Sequence, residues 1–255
     1  MYDENFYNAQ KSESYESAKN MLGIIYAQII KPKSVVDVGC GVGTWLRPWQ
    51  NLANNDGKEC QILGIDGNEV GDEIFYIDRK YFKRLDLTAP AKKNLKELGG
   101  KKFELAQCLE VGEHFSEEYA ENFANFLCSL SDLLLFSGAI PHQGGTHHVN
   151  CREPAYWAEL FARHDFACFD ILRQPLWQHG GIAYYYRQNA VLYAKGQAKE
   201  RLENLGFKSV AKPLYIIHPQ MWELRNREFS RIYQAYLRLS ADLVELKGIS
   251  GGKFS

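Results

Sequence analysis

Ser34-Val35-Val36-Asp37-Val38-Gly39-Cys40-Gly41-Val42-Gly43-Thr44-Trp45-Leu46 decides how this chain reads, and Ile62-Leu63-Gly64-Ile65-Asp66-Gly67 extends it. Val35, Val36 and Val38 form the apolar, β-branched run of a buried parallel strand. The alternate Gly39, Gly41 and Gly43 then bring the backbone close to a ligand. A dinucleotide loop would read G-x-G-x-x-G. Here the third glycine falls one place early, and the acid Asp37 stands two residues before the first glycine. A carboxylate in that place repels a pyrophosphate. It suits a cofactor with a cationic sulfonium, an amino group and no phosphate, the chemistry of S-adenosylmethionine.

The remaining chain is consistent with an enzyme for small molecules. Its 255 residues can bury a large core, and 45% hydrophobic with 24% charged residues is ordinary globular composition. Thirty basic and thirty-one acidic residues give a formal net charge of -1, which offers no field to attract nucleic acid or an anionic membrane. The six cysteines, Cys40, Cys60, Cys108, Cys128, Cys151 and Cys168, include no C-x-x-C pair and read as reduced core thiols. The first residues are acidic and polar, and no apolar run reaches membrane-spanning length, so the expected location is cytoplasmic.

Hydrophobic spacing predicts a helix from about Ser12 to Ile30, ended by Pro32, and then the strand Val35 to Val38. Further strands are expected at Cys60 to Ile65, Tyr81 to Leu85, Phe103 to Leu109 and Leu133 to Ser137, with helices at Thr44 to Leu52, Glu117 to Leu130 and Trp157 to Ala162. Phe166 to Phe169 and the aromatic run Ala183 to Ala194 read as two last strands, the final one antiparallel. This alternation predicts an α/β fold with a doubly wound, mostly parallel seven-stranded sheet. The expected organisation is an N-terminal helical segment over the cofactor site (1–32), a core (33–195) and a C-terminal helical extension (196–255). The extension, with a helix near Gln220 to Leu246, covers the active site, forms a homodimer surface or packs on the sheet.

The glycine loop, Asp66, Asp86 and Cys108-Leu109-Glu110 together resemble class I S-adenosylmethionine-dependent methyltransferases. More narrowly, the stretches 34–46, 64–67, 109–114, 136–150 and 185–189 resemble a bacterial group of small-molecule methyltransferases associated with capsular polysaccharide biosynthesis. The resemblance covers most of residues 2–193. It implies a cofactor site lined by Asp37, Gly39, Cys40, Gly41, Asp66, Gly67, Asp86, Leu87, Leu109 and Glu110. Asp66, at the end of the second strand, can accept both ribose hydroxyls. Asp86 either takes the adenine amine or caps the turn before Pro90. Asp37 is expected to organise the loop rather than to touch the cofactor.

Methyl transfer to an alcohol needs an aligned lone pair and a base near neutral pKa, which points to histidine. Glu110-Val111-Gly112-Glu113-His114, read as a helical turn, sets both glutamates and the histidine to one side. It resembles the Glu-x-x-Glu-His element of metal-dependent small-RNA 2′-O-methyltransferases and of some quinone O-methyltransferases. Glu110, Glu113, His114 and His148 are therefore candidate ligands for Mg²⁺ or Mn²⁺; alternatively His114 acts directly as acid or base with Glu113 holding an imidazole in the useful tautomer, or Glu113 and His114 form a buried pair. The loop Ala139 to Asn150 supplies Gln143, Thr146, His147 and His148, with His148 assigned to metal or base duty and His147 to substrate contact. Tyr7, Tyr15, Trp45, Trp157, Trp177 and Tyr185 are candidate cleft walls, and Arg173 and Arg187 candidate contacts for a phosphorylated acceptor. The expected activity is O-methylation of a small hydroxylated acceptor, a sugar or nucleotide-linked precursor. An RNA or nucleotide 2′-O-methyltransferase, a non-catalytic cofactor-binding partner protein and an NAD-dependent dehydrogenase are the competing readings.

Overall fold

A computed structural model describes residues 4–68 and 75–251, with side chains from 12 to 243 within those limits. Helix α1 (Glu4–Gln28) leads to strand β1 (Ser34–Val38), helix α2 (Arg47–Asn55) and strand β2 (Gln61–Asp66). After β3 (Phe82–Arg84) come α3 (Ala91–Glu97), β4 (Leu105–Leu109), α4 (Ala120–Leu130) and β5 (Leu133–Ser137). The chain continues through α5 (Pro154–Ala162), β6 (Ala167–Phe169), α6 (Arg173–Leu176), α7 (Tyr184–Asn189), β7 (Val191–Ala194) and α8 (Gly196–Asn204).

The strands form one seven-stranded sheet in the order β3-β2-β1-β4-β5-β7-β6. β1 lies between β2 and β4 in parallel register, Val36 opposite Leu63 on one side and Ala106 on the other. Only β7 runs against its neighbours, pairing antiparallel with β5 and β6. Both faces of the central strands are buried, which is why they read as unbroken apolar runs. The period of two divides them between two cores. Val35, Leu105, Leu133 and Leu135 pack with Met21, Leu22, Ile25, Leu46 and Trp49 from α1, α2 and the residues leading into α2. On the opposite face, Val36, Ala106, Leu134 and Phe136 pack with Phe123, Phe126, Leu127 and Phe161 from α4 and α5.

Two expectations need correction. Residues 184–189 are helical rather than extended: Ser17 Oγ accepts the Ala183 N–H at 2.9 Å, and Tyr186 turns inward against Trp45 with ring centroids 4.6 Å apart. A run of three tyrosines carries no period of its own, so the tertiary contact decides its conformation. Glu117–Tyr119 is a separate 3₁₀ turn, and α4 begins only at Ala120. All six cysteines are free, five of them buried. No helix among the described residues is long and apolar enough to cross a membrane.

The chain divides into two compact units, Met1–Ile216 and Ile217–Ser255. In the second, helix α9 (Pro219–Gly251) runs for 33 residues. Proline at its first position needs no hydrogen-bond donor, and the His218 ring accepts the Gln220 N–H at 3.2 Å.

Gly64 marks the tightest approach within the sheet face, since an added Cβ would stand 2.7 Å from Cys40 Sγ and 3.1 Å from Leu46. Gly64→Ala should cost about 1–3 kcal/mol by overpacking. Combining it with Cys40→Ala should recover much of that loss, a coupling readable in urea-unfolding free energies of the four proteins of the cycle.

Candidate active site

The carboxyl ends of β1, β2, β4 and β5 meet where an open α/β sheet binds its ligands. After Val38 the chain turns over the end of β2: the Gly39 and Cys40 N–H groups donate to Ile65 O at 2.7 and 3.1 Å. Gly39 (φ +80°) is held close to Val111, whose side chain an added Cβ would strike at 2.3 Å. Gly41 (φ +51°) differs, because nothing stands within 4 Å of the place its Cβ would occupy. The Asp66 carboxylate fixes this loop, with Oδ2 accepting the Gly41 N–H and Oδ1 the Asn68 N–H, both at 2.9 Å. Asp66 thereby joins this loop to the end of β2. Gly67 follows it, and its carbonyl accepts from Arg84 Nε at 3.2 Å.

Asp37 lies buried on β1 beside Gln107, a polar residue inside an apolar strand that the motif reading passed over. Trp49 Nε1 donates to Gln107 Oε1 at 2.8 Å, and Gln107 Nε2 donates to Trp45 O at 3.1 Å. Burial pushes the Asp37 carboxyl up to about 7 against the favourable hydrogen bond from Gln107, and the charge of Asp66 adds to the rise. Burial likewise raises the Cys40 thiol, which faces Gly64. Asp86 is exposed, and its Oδ1 takes the Thr88 N–H at 2.9 Å and the Thr88 hydroxyl at 2.6 Å, the cap that competed with the adenine assignment. The Leu87 and Leu109 side chains are core residues.

The residues after β4 do not form the expected helical turn. Glu110 takes a left-handed conformation (φ +56°), and Gly112–His114 follows as 3₁₀. The two glutamates therefore have separate surroundings. Glu110 Oε2 accepts from Gln143 Nε2 at 2.6 Å and its Oε1 from Asn189 Nδ2 at 3.1 Å. Asn189 also donates to Gln143 Oε1 at 2.7 Å, and Gln188 Nε2 donates to Asn189 Oδ1 at 3.1 Å. Burial raises the Glu110 carboxyl, opposed by Asn189, Gln143 and Ser137. Gln188 and Asn189 lie in the run whose composition predicts a strand, and only the helix α7 brings them here.

Glu113 is fully buried, and neither carboxylate oxygen has a hydrogen-bond partner. Its own N–H and that of Ala139 approach and favour the anion without reaching bonding geometry. Burial, and next the charge of Glu110, drives its carboxyl well upward. His148 Nε2 stands 3.9 Å from Glu113 Oε1, and the His114 and His148 rings meet edge to face at 4.8 Å. Ligand atoms of Glu113, His114 and His148 all lie within 4.8 Å of one another. Glu110 is outside this group of three. Burial lowers both imidazoles, His148 to about 4, and the two rings stand close enough for His114 to add to the lowering at His148. His114 also hydrogen-bonds to the main chain of His147, which is itself exposed in a left-handed conformation (φ +59°). Gly145 (φ +122°) makes room for the His148 ring, 2.2 Å from where a Cβ would be.

The other candidates divide between packing and cleft. Trp157 is core against Gly112 and Phe136; Trp45 is buried and donates to Tyr186 Oη at 3.2 Å. The Tyr15 and Tyr76 rings meet at a tilt with centroids 4.9 Å apart, and Tyr185 donates to Glu13 at 3.2 Å. The Tyr7 side chain lies outside the described residues. Arg173 is buried, ion-paired with Asp170 and donating to Leu214 O at 2.8 Å, while Arg187 donates to Trp177 O at 2.8 Å. Both arginines serve the scaffold through these bonds.

No protein-family model and no curated protein sequence matches the chain. Solved structures do. Magnesium protoporphyrin IX methyltransferase from Synechocystis PCC 6803 with bound SAH aligns over 77% of this chain and 89% of its own, at 16% identity and TM-score 0.51. The same protein with bound SAM aligns over 77% and 86%, at 19% identity and TM-score 0.50. An O-methyltransferase family protein from Burkholderia thailandensis aligns over 75% of this chain and 59% of its own, at 11% identity and TM-score 0.50. The fold is that of the class I S-adenosylmethionine-dependent methyltransferases.

Asp37 gives this site a pH signature. Its carboxyl rises from 3.8 to about 7 on folding, so between those values the folded protein holds a proton that the unfolded chain has released. Its contribution to stability is therefore full below 3.8 and is lost as pH rises through about 7. Asp37→Asn should gain stability relative to the unmutated protein across that window, by an amount on the order of a few kcal/mol, with no further gain at higher pH. Urea unfolding without added ligand, compared at several pH values, measures the difference.

Proposed function

We propose that this protein is an S-adenosylmethionine-dependent O-methyltransferase acting on a small hydroxylated acceptor. The observation that carries this reading is the acidic end of β1 and β2. Asp37 and Asp66 are both buried there, no cation among the described residues faces Asp37, and the Gly41 backbone beside them borders open space. A cationic, phosphate-free ligand fits that charge and that cradle, whereas a pyrophosphate meets two carboxylates. Asp66 keeps free lone pairs for ribose hydroxyls after serving Gly41 and Asn68. Asp86 has the corresponding role toward adenine, beside its bonds to Thr88. Helix α1, tied to the loop by Ser14 Oγ and Thr44 Oγ1 at 2.9 Å, closes the cofactor side.

S-adenosylmethionine supplies an electrophilic methyl group; the chain has to place and deprotonate the acceptor. Glu113, His114 and His148 fit a divalent cation, because the buried carboxylate lacks a partner and the two imidazoles are held neutral, the form that ligates. Such an ion contributes Lewis acidity toward a hydroxyl. Two nitrogen donors favour Mn²⁺ or a later transition metal over Mg²⁺, which prefers oxygen. The His147 main chain orients the His114 ring, and the exposed His147 side chain meets the acceptor. The Glu110–Gln143–Asn189 network holds the loop after β5 against the strand ends. A net charge of -1 favours a small acceptor over RNA, and the motif resemblance favours a sugar or nucleotide-linked one, in the cytoplasm.

Calorimetry with S-adenosylmethionine and its demethylated product should show binding that Asp66→Ala weakens by about 1.5–3 kcal/mol. Binding of NAD with no response to either methionine-derived ligand overturns the cofactor assignment. Separately, Mn²⁺ should bind the unmutated protein and be lost in Glu113→Gln, read by metal content. Chelation should stop methyl transfer to an acceptor found by mass-spectrometric screening, and Mn²⁺ should restore it. Turnover indifferent to chelation, rising with pH through a pKa below the ordinary histidine value, assigns proton removal to His114 or His148 without metal.

A further inference from the structure

Helix α9 carries a feature the catalytic reading leaves unused. Arg225, Phe229, Ile232, Tyr236, Leu239 and Leu243 follow one another at steps of four and three residues, a 3.5-residue period that an isolated straight helix does not need. Phe229, Ile232, Tyr236 and Leu239 are exposed by 67%, 63%, 63% and 64%, and Trp222 and Leu243 extend the same stripe. Phe229 stacks on Tyr233, which lies one position beside the stripe, with ring centroids 6.1 Å apart.

We propose that this stripe is the seam of an antiparallel two-stranded coiled coil formed with α9 of a second copy of the chain. Three observations select that occupant. The first is the period, which supercoils two like helices about each other. The second is pairing: in an antiparallel arrangement centred near Gln234, Phe229 meets Leu239 of the other copy and Ile232 meets Tyr236. Every such layer then joins one ring to one aliphatic side chain. Arg225, ion-paired to Glu228 at 2.6 Å, meets Leu243 in that arrangement, whereas a parallel one sets Arg225 against Arg225. The third is extent. Seven seam side chains at roughly 100 Å² each give about 700 Å² per copy, close to the ~800 Å² of a standard stable interface.

Sedimentation of the full chain across about 1 to about 100 μM should show a dimer that dissociates on dilution. Ile232→Glu with Leu239→Glu should weaken association by at least about 100-fold. The thermal unfolding midpoint at a concentration where both proteins are monomeric should not change. Under oxidation, a mixture of Phe229→Cys and Leu239→Cys proteins should crosslink more than either alone. A full chain that stays monomeric, including one that instead sediments with lipid vesicles, overturns the proposal. So does a glutamate variant that remains dimeric, or crosslinking of Phe229→Cys with itself in preference to the mixture.

Discussion

The crevice depends on one carboxylate shared between two backbone N–H groups. Asp66 ends β2 and binds the Gly41 N–H with one oxygen and the Asn68 N–H with the other. This ties the turn after β1 to the turn after β2, so the two strand ends keep a fixed separation. The bond is charge-assisted and lies in a buried place, where water competes weakly for either partner. The left-handed glycines Gly39, Gly41 and Gly43 let the loop reach that carboxylate without a Cβ penalty.

Two acidic groups at the same sheet edge have different electrostatic demands. Asp37 and Asp66 form a pair with backbone and amide partners and, among the described residues, without a cation facing Asp37. Glu113 is more extreme, because burial removes water and the fold supplies no hydrogen bond in exchange. Such a carboxylate either keeps a proton or gains a cation. His114 and His148, both neutral, stand where a cation would find its other ligands.

Strain is concentrated in the same region. Among the described residues, four non-glycine residues have positive φ, and Glu110, His142 and His147 lie in the two segments that border the crevice. Each such residue costs on the order of 1 kcal/mol or more and persists because its surroundings over-determine it. For Glu110 those surroundings are Ser137, Gln143 and Asn189. The left-handed turn is what sends Glu110 to the amide network and Glu113 into the interior.

The strands were legible because they are buried on both faces, so local apolar runs such as Val35 to Val38 and Leu133 to Ser137 report tertiary position directly. The glycine loop and Asp66 were legible because backbone approach to a ligand leaves a local requirement for glycine and for an acid at a strand end. The helix α7 was not, since three successive tyrosines carry no period and only the contacts to Ser17 and Trp45 select helix there. The turn at Glu110 was not legible either: a helical reading of Glu110 to His114 groups the two glutamates, and long-range hydrogen bonds separate them. By itself the sequence determined the sheet, its polarity of charge at the ligand edge and the residue types available for chemistry. The tertiary structure decided which of those residues share a site, because buried carboxylates and imidazoles take their partners from segments far apart in the chain.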